Sequence, residues 1–293
     1  MKTSTPANLT RYAWLASGAA VLTMLIKTVA WQMTGSVGLL SDAMESFVNL
    51  AGSLMALWML SLTARPADSD HAFGHDKAEY FSSGFEGVFI LLAAVSIGYA
   101  AIERFFNPQL LGSVTMGLGV SIFASIINFL VARILSRAGR RHRSIILEAD
   151  AQHLMTDVWS SIGVIVGVGL ASETGILWLD PAVALVVAIG IVRTGWILMQ
   201  RSIAGLMDAS LPPDQLEQIS TLLESFRCQG LAFHTLQTRQ AGHRSFFNLH
   251  VHVPGDWTVR KGHDYLDAIE TKLLELFPGA CITLHMEPTP DDD

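Results

Sequence analysis

Two pairs of polar residues stand at helical spacing inside strongly apolar stretches of the sequence. Glu45 and Asn49 form one pair, and His153 and Asp157 form the other. Residues at positions i and i+4 share one face of a helix, so each stretch offers two metal-ligating side chains on one side. An ionisable group at the centre of a bilayer costs roughly 2.5–3.5 kcal/mol on insertion scales, so these groups need a compensating partner. A divalent cation meets that need, because imidazole and carboxylate bind zinc and other first-row divalent ions.

Two further aspartates lie about one helical turn before these pairs. Asp42 and Asp150 are expected to form an outer shell of ligands on the path of the ion. The simpler alternative is that all these polar groups only hydrogen-bond between neighbouring helices. One isolated pair favours that alternative, whereas two pairs in separate helices favour a metal site. With Glu45 and Asp157 ionised, the charge of a divalent cation is just neutralised.

The composition indicates an integral membrane protein with a smaller soluble part. Of the 293 residues, 51% are apolar and 15% are charged, whereas soluble domains carry about 25% charged residues. The net charge of −7 argues against a nucleic-acid partner. No nucleophile with a neighbouring base and no nucleotide-binding loop stands out in the sequence, so we do not expect an enzyme.

Six apolar segments each approach the ~20 residues that a helix needs to cross the hydrocarbon core of a bilayer. They cover roughly residues 12–33, 38–62, 81–105, 113–135, 147–171 and 177–200. The longer connections are expected at residues 63–80 and 136–146. Basic residues concentrate on one side of the alternating spans, including five arginines between positions 133 and 143. This asymmetry predicts that both termini are cytoplasmic.

After Met207 the sequence takes on the patterns of a small soluble domain. Helical periodicity covers residues 214–226 and 258–276, and alternation typical of strands covers residues 231–240, 245–253 and 280–285. The order αββαβ indicates a ferredoxin-like α+β sandwich. We therefore predict an integral membrane bundle of six transmembrane helices over residues 1–208, followed by a cytoplasmic α+β domain over residues 209–293.

Two more groups of imidazoles and carboxylates lie outside the predicted spans. Asp68, His71 and His75 are close in sequence, and one carboxylate with two imidazoles makes a three-ligand zinc site with an open fourth position. The alternative for this segment is a solvated polar loop. The predicted cytoplasmic domain concentrates histidines, a pattern that suggests metal binding. They are His234, His243, His250, His252, His263 and His285, and Glu287 follows the last of them.

With these residues in view, the sequence resembles the cation diffusion facilitator family over nearly its whole length, in particular the bacterial ferrous-iron and zinc efflux type. The resemblance rests on the paired residues above, on His-Ala-Phe-Gly-His-Asp-Lys-Ala-Glu at 71–79 and on Ala-Asp-Ala-Gln-His-Leu-Met-Thr-Asp at 149–157. It implies a homodimeric metal/proton antiporter that exports zinc, iron, manganese, cobalt or cadmium across a bacterial inner membrane. Metal ions would be substrate and also structural or regulatory ligands, with no organic cofactor.

The resemblance also implies roles for individual residues. The transport site is implied at Glu45, Asn49, His153 and Asp157. A second metal site is implied in the loop at Asp68, His71 and His75. A binuclear site at the dimer interface is implied at His234, His250, His263, His285 and Glu287. An interdomain salt bridge is implied between Lys77 and Asp208, whereas His243 and His252 have no such match and are expected to be surface residues.

One departure from the family concerns the first pair of the transport site. The family usually has two aspartates, or a histidine and an aspartate, where this sequence has Glu45 and Asn49. The site thereby loses one negative charge, which predicts weaker zinc binding, tolerance for Fe(II), Mn(II) or Co(II), and an open choice of preferred metal. A membrane-tethered metal sensor or buffer that binds without transport is the main alternative function, and an ion channel is the third.

Overall fold

The computed structural model of the chain describes residues 9–34, 37–107, 115–176, 178–228 and 230–289. The described residues fall into two compact units, which divide between Ile203 and Ala204. The first unit holds the predicted membrane spans, and the second holds the predicted α+β domain.

Six long helices make up the described part of the first unit, as the apolar segments predict. They are α1 (Thr10–Thr34), α2 (Val37–Thr63), α3 (Ala78–Phe106), α4 (Thr115–His142), α5 (Ile145–Thr174) and α6 (Leu179–Leu206). Among the described residues, four stretches are long and apolar enough to cross a bilayer, and α2 adds a shorter apolar stretch over Asn49–Thr63. The four are Thr10–Val29, Ala78–Phe106, Ile122–His142 and Pro181–Leu206.

The connection between α4 and α5 is much shorter than the predicted one over residues 136–146. The helix α4 continues through the arginine-rich segment to His142, and only Arg143 and Ser144 separate it from α5. Arginine is a good helix former, and basic side chains in the last turn interact favourably with the negative end of the helix dipole. Arg143 adopts a left-handed backbone with φ of 53°, which reverses the chain. The two helices therefore form a tight hairpin.

The packing of the first unit is that of a protein surrounded by lipid. Its interior is rich in small side chains, including Ala16, Ala56 and Ala132, which are at most 1% exposed. Large apolar side chains such as Trp58 and Val95 point outward and are at least 60% exposed. Small residues between membrane helices let the backbones approach closely, while large apolar groups suit contact with acyl chains. This distribution lets polar side chains from several helices meet in the interior.

The second unit has the predicted αββαβ order, so the predicted fold class is confirmed. Its elements are α7 (Pro213–Arg227), β1 (Ala232–Ala241), β2 (Arg244–Val253), α8 (Val259–Leu276) and β3 (Cys281–Pro288). The sheet has the order β1-β2-β3, with β2 antiparallel to β1 and parallel to β3. The Thr258 hydroxyl caps α8 by accepting the N–H of Lys261 at 3.3 Å.

The two faces of this sheet have different chemistry. On β2, alternate residues such as Phe247 and Val251 are buried in one core with Ile219 of α7 and Ile269 of α8. Because side chains alternate across a strand, the residues between them face the other way. That second face of β2 carries Asn248, His250 and His252.

Candidate metal centres

Inside the membrane unit, α2 and α5 bring three of the four predicted transport-site residues into direct contact. Asn49 lies between the other two: its Nδ2 donates to Asp157 Oδ2, and its Oδ1 faces His153 Nε2. An ionised carboxylate only accepts hydrogen bonds, so the amide nitrogen must face Asp157 and the amide oxygen must face the imidazole. All three side chains are buried. Glu45 falls on α2, but its side chain, like that of Asp42, lies outside the described residues.

Two residues that the sequence analysis did not single out complete this cluster. Glu86 on α3 places its Oε2 2.9 Å from Nδ1 of His153, and Asn128 on α4 donates from Nδ2 to Asp157 Oδ2 at 3.3 Å. Both are buried. A signal for each was present, because a polar residue in the middle of an apolar span is rare and needs a partner. Neither has a ligand-type neighbour at i+4, which is why the spacing did not reveal them.

The cluster holds more negative than positive groups. Asp150, one turn before His153 on α5, is 3% exposed, and its Oδ2 has no hydrogen-bond partner among the residues that the structure describes. Together with Glu86 and Asp157, it gives the site three described carboxylates around one imidazole. Buried charges are stable only when they are paired or bind a metal. The arrangement therefore suits a cation, with nitrogen and oxygen donors that fit a first-row divalent ion.

The loop between α2 and α3 gathers its three predicted ligands. Nδ1 of His71 lies 3.2 Å from Asp68 Oδ1, and Nε2 of His75 lies 3.5 Å from Asp68 Oδ2. One ligand atom from each residue falls within 4.8 Å of the others. The turn is closed by the carboxylate itself, since Asp68 Oδ1 accepts the backbone N–H of His71 at 2.7 Å. That backbone hydrogen bond lowers the pKa of Asp68, which keeps the carboxylate ionised and able to bind a metal.

The two residues of the predicted interdomain salt bridge, Lys77 and Asp208, lie in different units. Asp208 lies in the second unit, where its Oδ1 is 3.2 Å from Nη1 of Arg239 on β1. Lys77 lies in the first unit, directly before α3. The pairing of Lys77 with Asp208 stays a prediction.

On the second face of the cytoplasmic sheet, the strand register gathers four histidines around one glutamate. His234 pairs with His250, His250 pairs with His285, and His252 pairs with Glu287. Each of the two carboxylate oxygens of Glu287 contacts two of the four imidazoles. Its Oε1 lies 2.9 Å from Nδ1 of His250 and 3.3 Å from Nε2 of His285. Its Oε2 lies 3.3 Å from Nε2 of His234 and 3.2 Å from Nε2 of His252.

Glu287 therefore lies between two pairs of imidazoles, one pair at each of its carboxylate oxygens. Desolvation raises the pKa of Glu287, but the hydrogen bond with His252 and the neighbouring His250 outweigh it, so the net pKa is lowered. An ionised carboxylate between two pairs of imidazoles can bridge two metal ions. Within this cluster, His234, His252 and Glu287 each offer one ligand atom that lies within 4.8 Å of the other two.

The expectation that His252 is a surface residue is wrong. Its side chain is 19% exposed and contacts both His234 and Glu287. The period of two along β2 places it on the same face as His250, and the pairing with β3 places it beside Glu287. His243 lies exposed in the turn between β1 and β2. His263 lies on α8, where its Nδ1 is 3.3 Å from Asp267 Oδ2, and it is not part of the group that the single chain assembles.

Comparison with known proteins matches both units. The chain matches the model of the cation efflux transmembrane domain over residues 13–207 and the model of the cytoplasmic domain of cation efflux proteins over residues 211–289. The chain belongs to the cation efflux family. This confirms the resemblance to cation diffusion facilitators, and it makes the protein a membrane transporter of the family that moves divalent metal cations.

Two relatives of this cation efflux protein span almost all of it, and a solved structure covers about a quarter. An uncharacterized transporter of Synechocystis sp. is 54% identical over 280 residues, which cover 96% of this chain and 90% of the relative. The cation-efflux pump FieF of Serratia proteamaculans is 30% identical over 283 residues, covering 96% and 94%. A solved chain of CzrB is 42% identical and covers 27% of this chain and 99% of its own, with a TM-score of 0.26.

The position of His252 leads to a test in the cation efflux protein. We expect His252→Ala to weaken Zn(II) binding by the cytoplasmic cluster roughly tenfold or more, the range seen when a group that supports a metal site is lost. Binding would be measured with a competing chelator on the full-length protein carrying His71→Ala, His75→Ala and His153→Ala, which disable the other two sites. His243→Ala is the matched control and should leave binding unchanged. Equal effects of the two substitutions would remove His252 from the cluster.

Proposed function

We propose that this cation efflux protein exports a divalent transition-metal ion from the cytoplasm in exchange for protons. It would act as a homodimer in a bacterial inner membrane with both termini in the cytoplasm. The substrate would be Zn(II), Fe(II) or a related ion such as Mn(II), Co(II) or Cd(II). The observation that carries the proposal is the buried contact of Asn49, His153 and Asp157 between α2 and α5.

The cluster has the donors that a divalent ion needs. Asn49 Oδ1, His153 Nε2 and the Asp157 carboxylate already converge, and Glu45 on the preceding turn of α2 would supply the fourth ligand. An ion that enters takes the place of the hydrogen bonds that now join these groups. The two carboxylates of this quartet then balance the charge of the ion.

The same contacts support exchange for protons. Nε2 of His153 faces the oxygen of Asn49, and its Nδ1 lies 2.9 Å from the carboxylate of Glu86. Both ring nitrogens thus face atoms that accept hydrogen bonds, and an imidazole that donates from both carries an extra proton. A metal binds only to a deprotonated ligand, so binding at His153 releases a proton and protonation expels the metal. A proton gradient directed into the cell would then drive the metal outward.

The cytoplasmic cluster supports a role in dimerisation. Four of the five implied ligands, His234, His250, His285 and Glu287, meet on one face of the sheet, while His263 lies elsewhere on the same chain. A site between two copies would reconcile this, with the second copy supplying the missing ligand. Metal bound between the two domains would favour one arrangement of the dimer and could thereby regulate transport.

A membrane-tethered metal sensor or buffer is the second candidate. The neutral side chain of Asn49 favours it, because a transport site with less charge holds a divalent ion less tightly. Two further clusters, in the loop and in the cytoplasmic domain, would then account for metal binding. Flux separates the two functions: a sensor binds metal in reconstituted vesicles without moving it.

The antiport proposal is tested by flux into proteoliposomes with an imposed pH gradient. We expect the wild type to move metal against protons and His153→Ala to lose roughly tenfold or more of that flux, together with its response to the gradient. His142→Ala, at the end of α4, is the control and should behave as the wild type. Full pH-coupled transport by His153→Ala would contradict the mechanism, and binding without flux in the wild type would favour the sensor.

The neutral amide of Asn49 leads to a second expected outcome. Asn49→Asp removes the donor to Asp157 and places two carboxylates in contact, which a divalent cation would relieve. We expect tighter binding of all tested ions and a several-fold shift of selectivity toward Zn(II). The measurement is competition between Zn(II), Fe(II), Mn(II) and Co(II) in the flux assay, with Asn107→Asp at the end of α3 as control. An unchanged selectivity profile would show that this position does not set the choice of metal.

A further inference from the structure

Among the residues that the structure describes, Glu86 on α3 is the most deeply buried carboxylate in contact with the cluster, with an exposed fraction of 2%. A charge in this setting needs a partner of opposite sign or a metal nearby. Its Oε2 lies 2.9 Å from Nδ1 of His153, on the side of the ring away from Asn49. The imidazole therefore has a hydrogen-bond partner on α2 at Nε2 and, at Nδ1, a close ion-pair contact with α3 that is not aligned as a hydrogen bond.

Residues of α2 and α3 make room for the Glu86 carboxylate and contact the imidazole beside it. Gly52 on α2 leaves room for it, since a Cβ at that position would lie only 2.7 Å from Glu86 Oε1. Phe89, about one turn further along α3, meets the His153 ring edge-on at 6.3 Å between ring centroids. Two residues of α3 thus fix the same imidazole, and one glycine of α2 lets the first of them reach it.

We propose that Glu86 is a positioning residue of the transport site and supplies a negative charge that Asn49 does not. A carboxylate that accepts the N–H of a metal-binding imidazole fixes which nitrogen is free for the metal and strengthens the ligand. With the Glu86 carboxylate beside Nδ1, Nε2 faces Asn49 Oδ1 and is the nitrogen available to the ion. Glu86 also adds a carboxylate to those of Glu45, Asp150 and Asp157. The inference rests on the proposed function, because the role is in metal export.

The decisive experiment removes the negative charge at position 86 and then adds one at position 49. Flux is measured in proteoliposomes for whichever of Zn(II), Fe(II), Mn(II), Co(II) and Cd(II) the wild type moves fastest. We expect Glu86→Gln to raise the KM roughly tenfold or more and Glu86→Asp to raise it less. Adding Asn49→Asp to Glu86→Gln should restore the KM to within about threefold of wild type, since the lost charge returns on the other side of the imidazole. Glu103→Gln, exposed further along the same helix, should have no effect.

Two outcomes would overturn the proposal. The first is a wild-type KM for Glu86→Gln, and the second is a failure of Asn49→Asp to rescue a defective Glu86→Gln. A merely structural role predicts that Asn49→Asp lowers the KM by the same factor in the wild type and in Glu86→Gln, whereas replacement of a missing charge predicts a larger factor in Glu86→Gln. If the wild type shows no flux, the proposed function fails instead. The role of Glu86 is then judged by equilibrium Zn(II) binding of the same variants, which should rank in the same order.

Gly52 gives an independent test of the geometry. Gly52→Ala should displace the Glu86 carboxylate and raise the KM, as Glu86→Gln does. In a Glu86→Ala background the added methyl group meets no carboxylate, so the same substitution should change the KM by less than about twofold, as for residues that no longer share a contact. Additive effects of the two changes would contradict the placement of Glu86 against α2.

Discussion

A charged side chain inside a bilayer has no water to stabilise it, and this constraint organises the transmembrane unit. At His153, neighbouring side chains take the place of water. His153 contacts Asn49 of α2 on one ring nitrogen and Glu86 of α3 on the other, while Asn128 of α4 reaches its neighbour Asp157. Three helices thus converge on one imidazole and one carboxylate of α5. A shift of any of these helices would change the electrostatic environment of His153 and Asp157.

The close packing of the helices makes this convergence possible, and it also links the loop site to the membrane site. Asp68, His71 and His75 lie directly before α3, whose first turn carries the buried Glu79. The carboxylate of Glu79 accepts the N–H of Ile145 at 3.1 Å, at the first residue of α5. The same α3 carries Glu86 seven residues later, against His153 of α5. A metal in the loop would therefore stiffen the end of a helix that contacts α5 at two levels.

The sequence predicts what depends on periodicity and misses what depends on single contacts. The six helices and the αββαβ order follow from apolar runs and alternation, and the i,i+4 rule finds His153 with Asp157. Glu86 and Asn128 each stand alone in an apolar span, and only tertiary packing reveals their partners. His252 could have been recognised as a member of the cytoplasmic cluster, because alternation along β2 places it on the same face as His250. Its place beside Glu287 depends on the register of a parallel strand 35 residues away, which local patterns do not encode.

The membrane cluster and the cytoplasmic cluster contain similar side chains but differ in their exposure to water. At the cytoplasmic cluster, His285 and Glu287 keep 63% and 30% of their side-chain surface exposed, so solvent can satisfy whichever ligand a metal leaves. Affinity there can change gradually with the number of imidazoles. At the membrane cluster, Asn49, His153 and Asp157 are all buried, so a charge there must be balanced by another charge, a proton or an ion. If a metal ion binds and leaves at that site, as we propose, its charge would have to be balanced by a second charge movement, which is the physical requirement for exchange.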